Sequence, residues 1–332
     1  MIFSQGRTRA PEKARVSGRT HRTLFAVFMV FFAVVPSHAE DRLVTVLYSS
    51  SSSAQRAVVN KIESVVNAGF SHRISLVSLD SVSDTQSLSD IRNSSLLITV
   101  GLQSALRSSQ WEFQQNKVHV LLSASVLRSL LKNKSSNNKS MITGLHIDQP
   151  LHRFFELIRH GIPLAKKITV LCSDPASPLI KRLHRVIQSY PLEANIVKIF
   201  GQPDLIPTLE QALRDSDVLL ALPDSSIYNR YTIQKILLTT YKKEIPVIAF
   251  SAALVRAGAT MGVFSTPEQI GQEVGDLVLR YLTETDFVFP PQKGPQYFST
   301  SINYQVARSL GLSPPPEAEL NDLITRTQER IY

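Results

Sequence analysis

Five consecutive hydroxyls, Ser49 to Ser53, stand directly before a helical pattern, and similar small polar clusters recur along the chain. They are Gly101 to Ser104, with Gln103 between them, then Ser123 to Ser125, Ser173 with Asp174, Asp224 to Ser226, and Ser251. Each follows a short apolar run. The free N–H groups of a helix N-terminus, joined by serine hydroxyls, suit a carboxylate or another anion. Serine and aspartate are also the preferred N-caps, so every one of these serines has a purely structural reading beside its ligand-binding one. Asp224 differs, because a carboxylate placed after an apolar run and Pro223 pairs naturally with an ammonium group on a ligand. Tyr228, Tyr231 and Phe250 lie close enough in sequence to wall such a site, or simply to pack in the core. The candidate ligand-binding set is therefore Ser49, Ser50, Gln103, Ser104, Ser123, Ser173, Asp224 and Ser251.

Other chemistries find no support. There is no G-x-G-x-x-G, no Walker A and no G-x-S-x-G, which removes the common dinucleotide, phosphate-loop and hydrolase signatures. The eight histidines include no H-x-x-x-H pair. His152 and His160 share a helical pattern with His146 nearby, but no cysteine or carboxylate cluster completes a metal site. No catalytic residue, no cofactor and no metal are expected, and the chain is not read as an enzyme.

The elements that must position these loops follow a regular rhythm. Strands are expected at Leu43–Tyr48, Ile74–Leu79, Leu96–Val100 and Val118–Leu122, with a helix after the first whose apolar positions Ala54, Ala57, Val58, Ile62, Val65 and Val66 keep helical spacing. After Gly144 the alternation restarts: helix Leu151–His160, strand Lys167–Cys172, helix Pro178–Tyr190, strand Asn195–Phe200, helix Leu205–Arg214, strand Val218–Leu222, helix Ile227–Lys242 and strand Pro246–Phe250. Strands that read as continuous Val/Ile/Leu runs are buried on both faces, as in a parallel sheet covered by helices. Leu131–Met141 is polar and reads as a surface loop, and a proline-rich stretch, Pro314–Pro316, precedes a terminal helix, Glu317–Ile331. The fold class is α/β, repeated twice, and two domains suit the length at about 150 residues each.

Charge and the N-terminus bound the compartment. Of 36 lysines and arginines and 27 acids, six bases and one acid lie in the first 39 residues, so the remainder is only mildly basic, with no basic stripe carrying interleaved aromatics. A nucleic-acid partner is not expected. Leu24–Val35 is an unbroken apolar run that follows a basic segment and precedes Pro36, Ser37, His38 and Ala39, the order of a cleavable export signal. The run is shorter than the about 20 residues needed to span a bilayer. Cleavage after Ala39 would leave a soluble exported chain beginning at Glu40. Its one cysteine, Cys172, is far from the apolar run and forms no intramolecular disulfide.

Several stretches together resemble the periplasmic substrate-binding proteins of ABC transporters. They are FFELIRHGIPLAKKITVLCSDPASP (Phe154–Pro178), LLALPDSSIYN (Leu219–Asn229), IPVIAFSAALVRAGATMGV (Ile245–Val263), PEQIGQEVGDLVLRYL (Pro267–Leu282) and INYQVARSLGL (Ile302–Leu312), with VGLQSAL (Val100–Leu106) in the first half. The resemblance is to the type I group often described as the periplasmic component of an uncharacterised ABC-type transport system, some of whose members bind aromatic amino acids. It implies two doubly wound Rossmann-like lobes joined by three crossings and closed on a ligand by hinge motion. On that plan residues 40–145 with 265–290 form the first lobe, and 146–264 with 291–332 the second. Asp224 falls where the family shows an acidic residue, with Ser49, Gln103 and Ser104 on the opposing loops. The chain departs at Leu121–Leu130, where the family shows an Asp-Pro pair, and this leaves the ligand class open. The implied role is a monomeric periplasmic receptor that takes a small polar molecule to an inner-membrane ABC permease. The alternative is a sensory or accessory protein of the same fold that docks on a membrane sensor or an outer-membrane uptake system.

Overall fold

The computed structural model describes residues 42–70, 73–132 and 140–331. The expected export signal, residues 1–39, and most of the loop at 131–141 lie outside them.

The chain builds two open sheets in succession. The first comprises β1 (Val44–Tyr48), β2 (Ile74–Ser78), β3 (Leu96–Val100), β4 (Asn116–Leu122) and β5 (Ile142–His146), all parallel, in the order β2-β1-β3-β4-β5. Its helices are α1 (Ser53–Asn67), α2 (Thr85–Asn93), α3 (Leu102–Ser109) and α4 (Ala124–Lys132). After α5 (Leu151–Gly161) the second sheet follows: β6 (Lys167–Cys172), α6 (Pro178–Ile187), β7 (Glu193–Lys198), α7 (Gln202–Ala212), β8 (Val218–Leu220), α8 (Ile233–Lys242), β9 (Val247–Ala249), α9 (Ala252–Ala257) and β10 (Met261–Phe264). Helix α10 (Pro267–Thr283) then leads to β11 (Ser299–Ile302), α11 (Tyr304–Ser309) and α12 (Glu317–Ile331). The order is β11-β10-β9-β8-β6-β7, with β11 as the antiparallel member.

The central strands read as they do because both faces are covered: all five residues of β3 are buried, and so are Ile168 to Cys172 of β6. Apolar side chains of α1 and α10 pack on one face of the first sheet, while the second sheet is sandwiched between Phe154, Phe155 and Ile158 of α5 on one side and Leu209 and Ile236 on the other. Helix α10 therefore leaves the second sheet after β10, packs on the first, and hands the chain back to the second at β11. That makes three crossings.

Contact between α10 and α1 depends on Gly271 and Gly275, four residues apart on one helix face. A Cβ on Gly271 would sit 2.6 Å from the Val58 carbonyl oxygen, and one on Gly275 would sit 2.7 Å from Val65 Cβ. The helix starts with a full capping box, in which Thr266 and Gln269 exchange hydrogen bonds.

One buried polar strip interrupts the first lobe. Lys117 Nζ donates to the Ser108 carbonyl at 2.8 Å, and His119 Nδ1 lies 2.6 Å from Thr99 Oγ1. Burial, reinforced by the Lys117 charge, pulls the His119 imidazole down to about 4, so it is neutral inside the fold.

The expected helix at Ile227–Lys242 is shorter than its pattern, starting only at Ile233. Residues between Asp224 and Thr232 form turns instead: Asp224 O accepts from Ile227 and Tyr228, Tyr231 N donates to Asn229 Oδ1, and Asn229 Nδ2 donates to Ser225 O.

Candidate functional site

Parallel pairing brings the polar clusters together at the carboxyl ends of neighbouring strands. Ser49 and Ser50 follow β1, Gln103 and Ser104 follow β3, and Ser123 follows β4, three adjacent strands of the first sheet. Ser173 follows β6, Asp224 comes after β8, and Ser251 follows β9, again three adjacent strands. Strand ends of open α/β sheets are where ligands bind.

Within each set the roles separate. Ser251 is the N-cap of α9, accepting from Leu254 N, and Ser123 accepts from Val126 N in the first turn of α4. Ser49 and Ser50 do not cap α1, since that place is taken by Ser52. Ser49 Oγ is 2.9 Å from Ser51 Oγ, and Ser50 Oγ donates to Asp80 Oδ2 at 2.6 Å. Gln55 Oε1 accepts from Ser49 N at 2.8 Å, while its amide nitrogen lies 2.5 Å from where a Cβ on Gly101 would be. Gly101 also has a φ of 85°, so the β3–α3 turn requires glycine on two counts. Gln103 is exposed, whereas Ser104 is buried and its hydroxyl has no hydrogen-bond partner.

In the second lobe Asp224 is not a helix cap. Its Oδ2 accepts from both Ser173 N (2.8 Å) and Ser173 Oγ (2.7 Å), and its Oδ1 accepts from Ser226 N (3.0 Å). The carboxylate thus ties the β6 and β8 loops together. All three donors are neutral, and a carboxylate has about four acceptor positions, so one position stays open and Asp224 forms no ion pair among the described residues. Tyr228 packs edge-on to Phe250 at 6.0 Å between ring centres, with its hydroxyl buried and without a hydrogen-bond partner. Burial and the nearby Asp224 push that phenol far above its ordinary range, so it stays a donor. Burial, then Asp224 and Asp174, likewise raise the Cys172 thiol and keep it unreactive. Tyr231 is exposed and takes no part in this wall.

At the end of β4, inside the segment that departs from the family pattern, Leu121 has a φ of 60° and the pairing with β5 shifts register between Val120 and Leu122. A bulge at this point re-aims the residues entering the loop at Ser123.

The crossings between the lobes meet at one side chain that motif reading does not reveal. Arg153, fully buried in the first turn of α5, donates Nη1 to Gln149 Oε1 at 2.7 Å and Nη2 to Gln296 O at 3.0 Å, and lies 4.2 Å over the Phe298 ring. Gln149 Nε2 donates to Ser265 Oγ at 2.8 Å, which in turn donates to Tyr297 O. One guanidinium thereby touches or reaches all three crossings. A visible signal exists: an arginine set among Leu151, Phe154, Phe155 and Leu157 lies where a surface charge does not belong. His152 and His160 share this helix, but His160 pairs with Glu156 at 3.3 Å, and no group of three metal-ligating residues occurs among the described residues.

Two open sheets, three crossings and polar strand-end loops define a two-lobed binding protein of the type I periplasmic kind. Residues 114–315 match the family model described as ABC transporter substrate binding protein, and the chain belongs to that family. No match was found among curated protein sequences. Solved structures share the fold. The ligand-free, open form of a substrate-binding protein with adhesive properties from Clostridium difficile is 16% identical with a TM-score of 0.66, covering 82% of this chain and 96% of that one. A Streptococcus pneumoniae ABC domain in complex with L-tryptophan is 16% identical with a TM-score of 0.54 over 82% and 96% of the two chains. A conserved domain protein from Vibrio cholerae is 18% identical with a TM-score of 0.55 over 83% and 96%. Among the described residues no helix is long and apolar enough to cross a membrane.

Proposed function

We propose that this chain is the periplasmic solute-binding component of an ABC transport system, exported by residues 1–39, and that it captures an amino acid or a related small amine. On this reading residues 40–145 with 265–290 and residues 146–264 with 291–332 are the two lobes. They close on the ligand about the Arg153 junction, and the closed monomer delivers its cargo to an inner-membrane permease without covalent chemistry.

The observation that carries the reading is Asp224, a partly buried carboxylate held by three neutral donors and forming no ion pair among the described residues. An α-ammonium supplies the missing charge and uses the remaining acceptor position. Tyr228 Oη and Ser104 Oγ, buried hydroxyls from opposite lobes, are donors suited to the ligand's carboxylate, and Phe250 with Tyr228 offers an apolar wall. The L-tryptophan held by the pneumococcal structure is a ligand of the proposed kind.

The test is a thermal-shift screen of the chain against amino acids, small peptides, sugars and anions. A ligand present at 100 times its dissociation constant adds about 2.7 kcal/mol of stability. Stabilisation by amino acids or amines is the expected result. Stabilisation by sugars or anions alone contradicts the assignment.

A further inference from the structure

The first lobe contains a cavity of about 240 Å³ beside α10, lined by Val118 of β4 and residues 143–145 of β5 and not by the strand-end loops. Its floor is apolar, formed by Val118, Leu145, Val274, Leu277 and Pro290. At this volume, below the roughly 300 Å³ of the smallest drug-sized pockets, it fits a single ring or a short alkyl chain. The other wall is the third crossing, which forms a parallel bridge with β5: Lys293 N donates to Gly144 O and His146 N donates to Lys293 O.

The rim carries charges of both signs, and most cancel in pairs. Glu273, with its side chain only 6% exposed, lies 2.8 Å from Lys293 Nζ and also accepts from Gln296 N at 2.8 Å. Arg280 also lines the cavity, but its charge is engaged by Glu284, which does not: Arg280 Nε donates to Glu284 Oε1 at 2.8 Å. Asp276 is the exception. Its Oδ1 accepts from Gln272 Nε2 at 2.8 Å and its Oδ2 from the Tyr297 hydroxyl at 3.1 Å, both neutral donors, and it forms no ion pair among the described residues. The hydrogen bond to Asp276 raises the Tyr297 phenol above its ordinary value, so that donor persists through the neutral range. The charge left over at the mouth of an apolar cavity is therefore that of one carboxylate. A neutral occupant covers the floor and leaves that charge unmatched; an anionic one is repelled by it.

We propose that this cavity is a second binding site, separate from the strand-end loops, for a small organic cation. Its ammonium or guanidinium pairs with Asp276 and its apolar body lies on Val274, Leu277 and Pro290.

Calorimetric titration of the Asp224→Asn chain, whose strand-end loops no longer offer an ammonium a carboxylate, with phenethylamine, 2-phenylethanol and phenylacetate tests this, the three probes sharing a ring and differing in charge. The amine is expected to bind at least about ten-fold more tightly than the alcohol, with phenylacetate weakest. Asp276→Asn should weaken the amine by about ten-fold or more and abolish the preference over the alcohol. Leu277→Trp, which fills the floor and keeps the carboxylate, should remove binding of both, and it carries the test if the Asp276→Asn variant fails to melt cooperatively. Equal affinity for amine and alcohol in the Asp224→Asn chain, or amine binding that persists when Leu277→Trp is added to it, overturns the proposal.

Discussion

Replacing Arg153 by methionine keeps most of the buried stem and deletes the guanidinium that joins the crossings. At least two hydrogen bonds from a charged donor are lost, at about 1.5–3 kcal/mol each, together with a stacked contact on Phe298 of about 0.5–2 kcal/mol. Against this, the variant no longer buries a charge, which returns several kcal/mol of desolvation. Gln149 Oε1 remains as a buried acceptor without this donor and Gln296 O as a partly buried one, so the balance falls on the side of loss, about 3 kcal/mol. Arg153→Lys keeps the charge but not the planar fork, and should recover roughly one of the two bonds. Urea unfolding followed by far-UV circular dichroism and by the fluorescence of Trp111, the single tryptophan, reads the effect, because Trp111 packs only against the first lobe. If the junction stabilises both lobes, both signals shift to lower urea in the methionine variant. A change below about 0.5 kcal/mol would refute the claim that the junction is a main support of the fold.

Three further outcomes follow from particular contacts. Asp224→Asn turns one acceptor oxygen into an amide that cannot accept from the Ser173 and Ser226 donors together; stability should fall by about 1–3 kcal/mol and ligand affinity by roughly 1.5–3 kcal/mol, and unaltered affinity in a folded variant removes the ammonium from this position. Gly271→Ala drives a methyl group into the Val58 carbonyl and Lys61, forcing α10 away from α1 at about 1–3 kcal/mol in denaturant titrations; a neutral result would mean the helices separate freely. His119 sits at about 4 when folded against 6.5 in its ordinary state, so the unfolded chain takes up its proton first as pH falls. Its contribution is therefore complete above pH 6.5 and is lost as the pH drops toward 4, by about 3 kcal/mol at most, and the decline should be shallower in His119→Gln.

The parallel strands were legible because burial on both faces leaves a compositional mark: Leu96–Val100 and Lys167–Cys172 lie where the apolar runs place them. Elements whose limits depend on distant partners were not. The run read at Asn195–Phe200 is an edge strand, Glu193–Lys198, whose bounds come from pairing Lys167 with Glu193. Strand β11, four residues long, exists by pairing with β10 across a separation that includes all of α10. The late start of α8 reflects local competition, as Asp224 and Asn229 offer the backbone turn hydrogen bonds that a helix would otherwise make. The candidate site divides the same way. That Asp224 stands at a strand end follows from the order of residues, whereas its partnership with Ser173, 51 positions away, is a product of the sheet. The apolar neighbours of Arg153 mark it as buried, but its role lies in Gln149, Gln296 and Phe298, which only the three crossings bring together.

Capture by closure is the central claim, and small-angle X-ray scattering tests it most directly. The chain is measured alone and with a saturating concentration of whichever compound raises its melting temperature in the screen. Two lobes closing about the crossings predict a smaller radius of gyration in the bound form, with the maximum dimension reduced as well. An unchanged radius at confirmed saturation would contradict the account, showing that the ligand binds without drawing the lobes together.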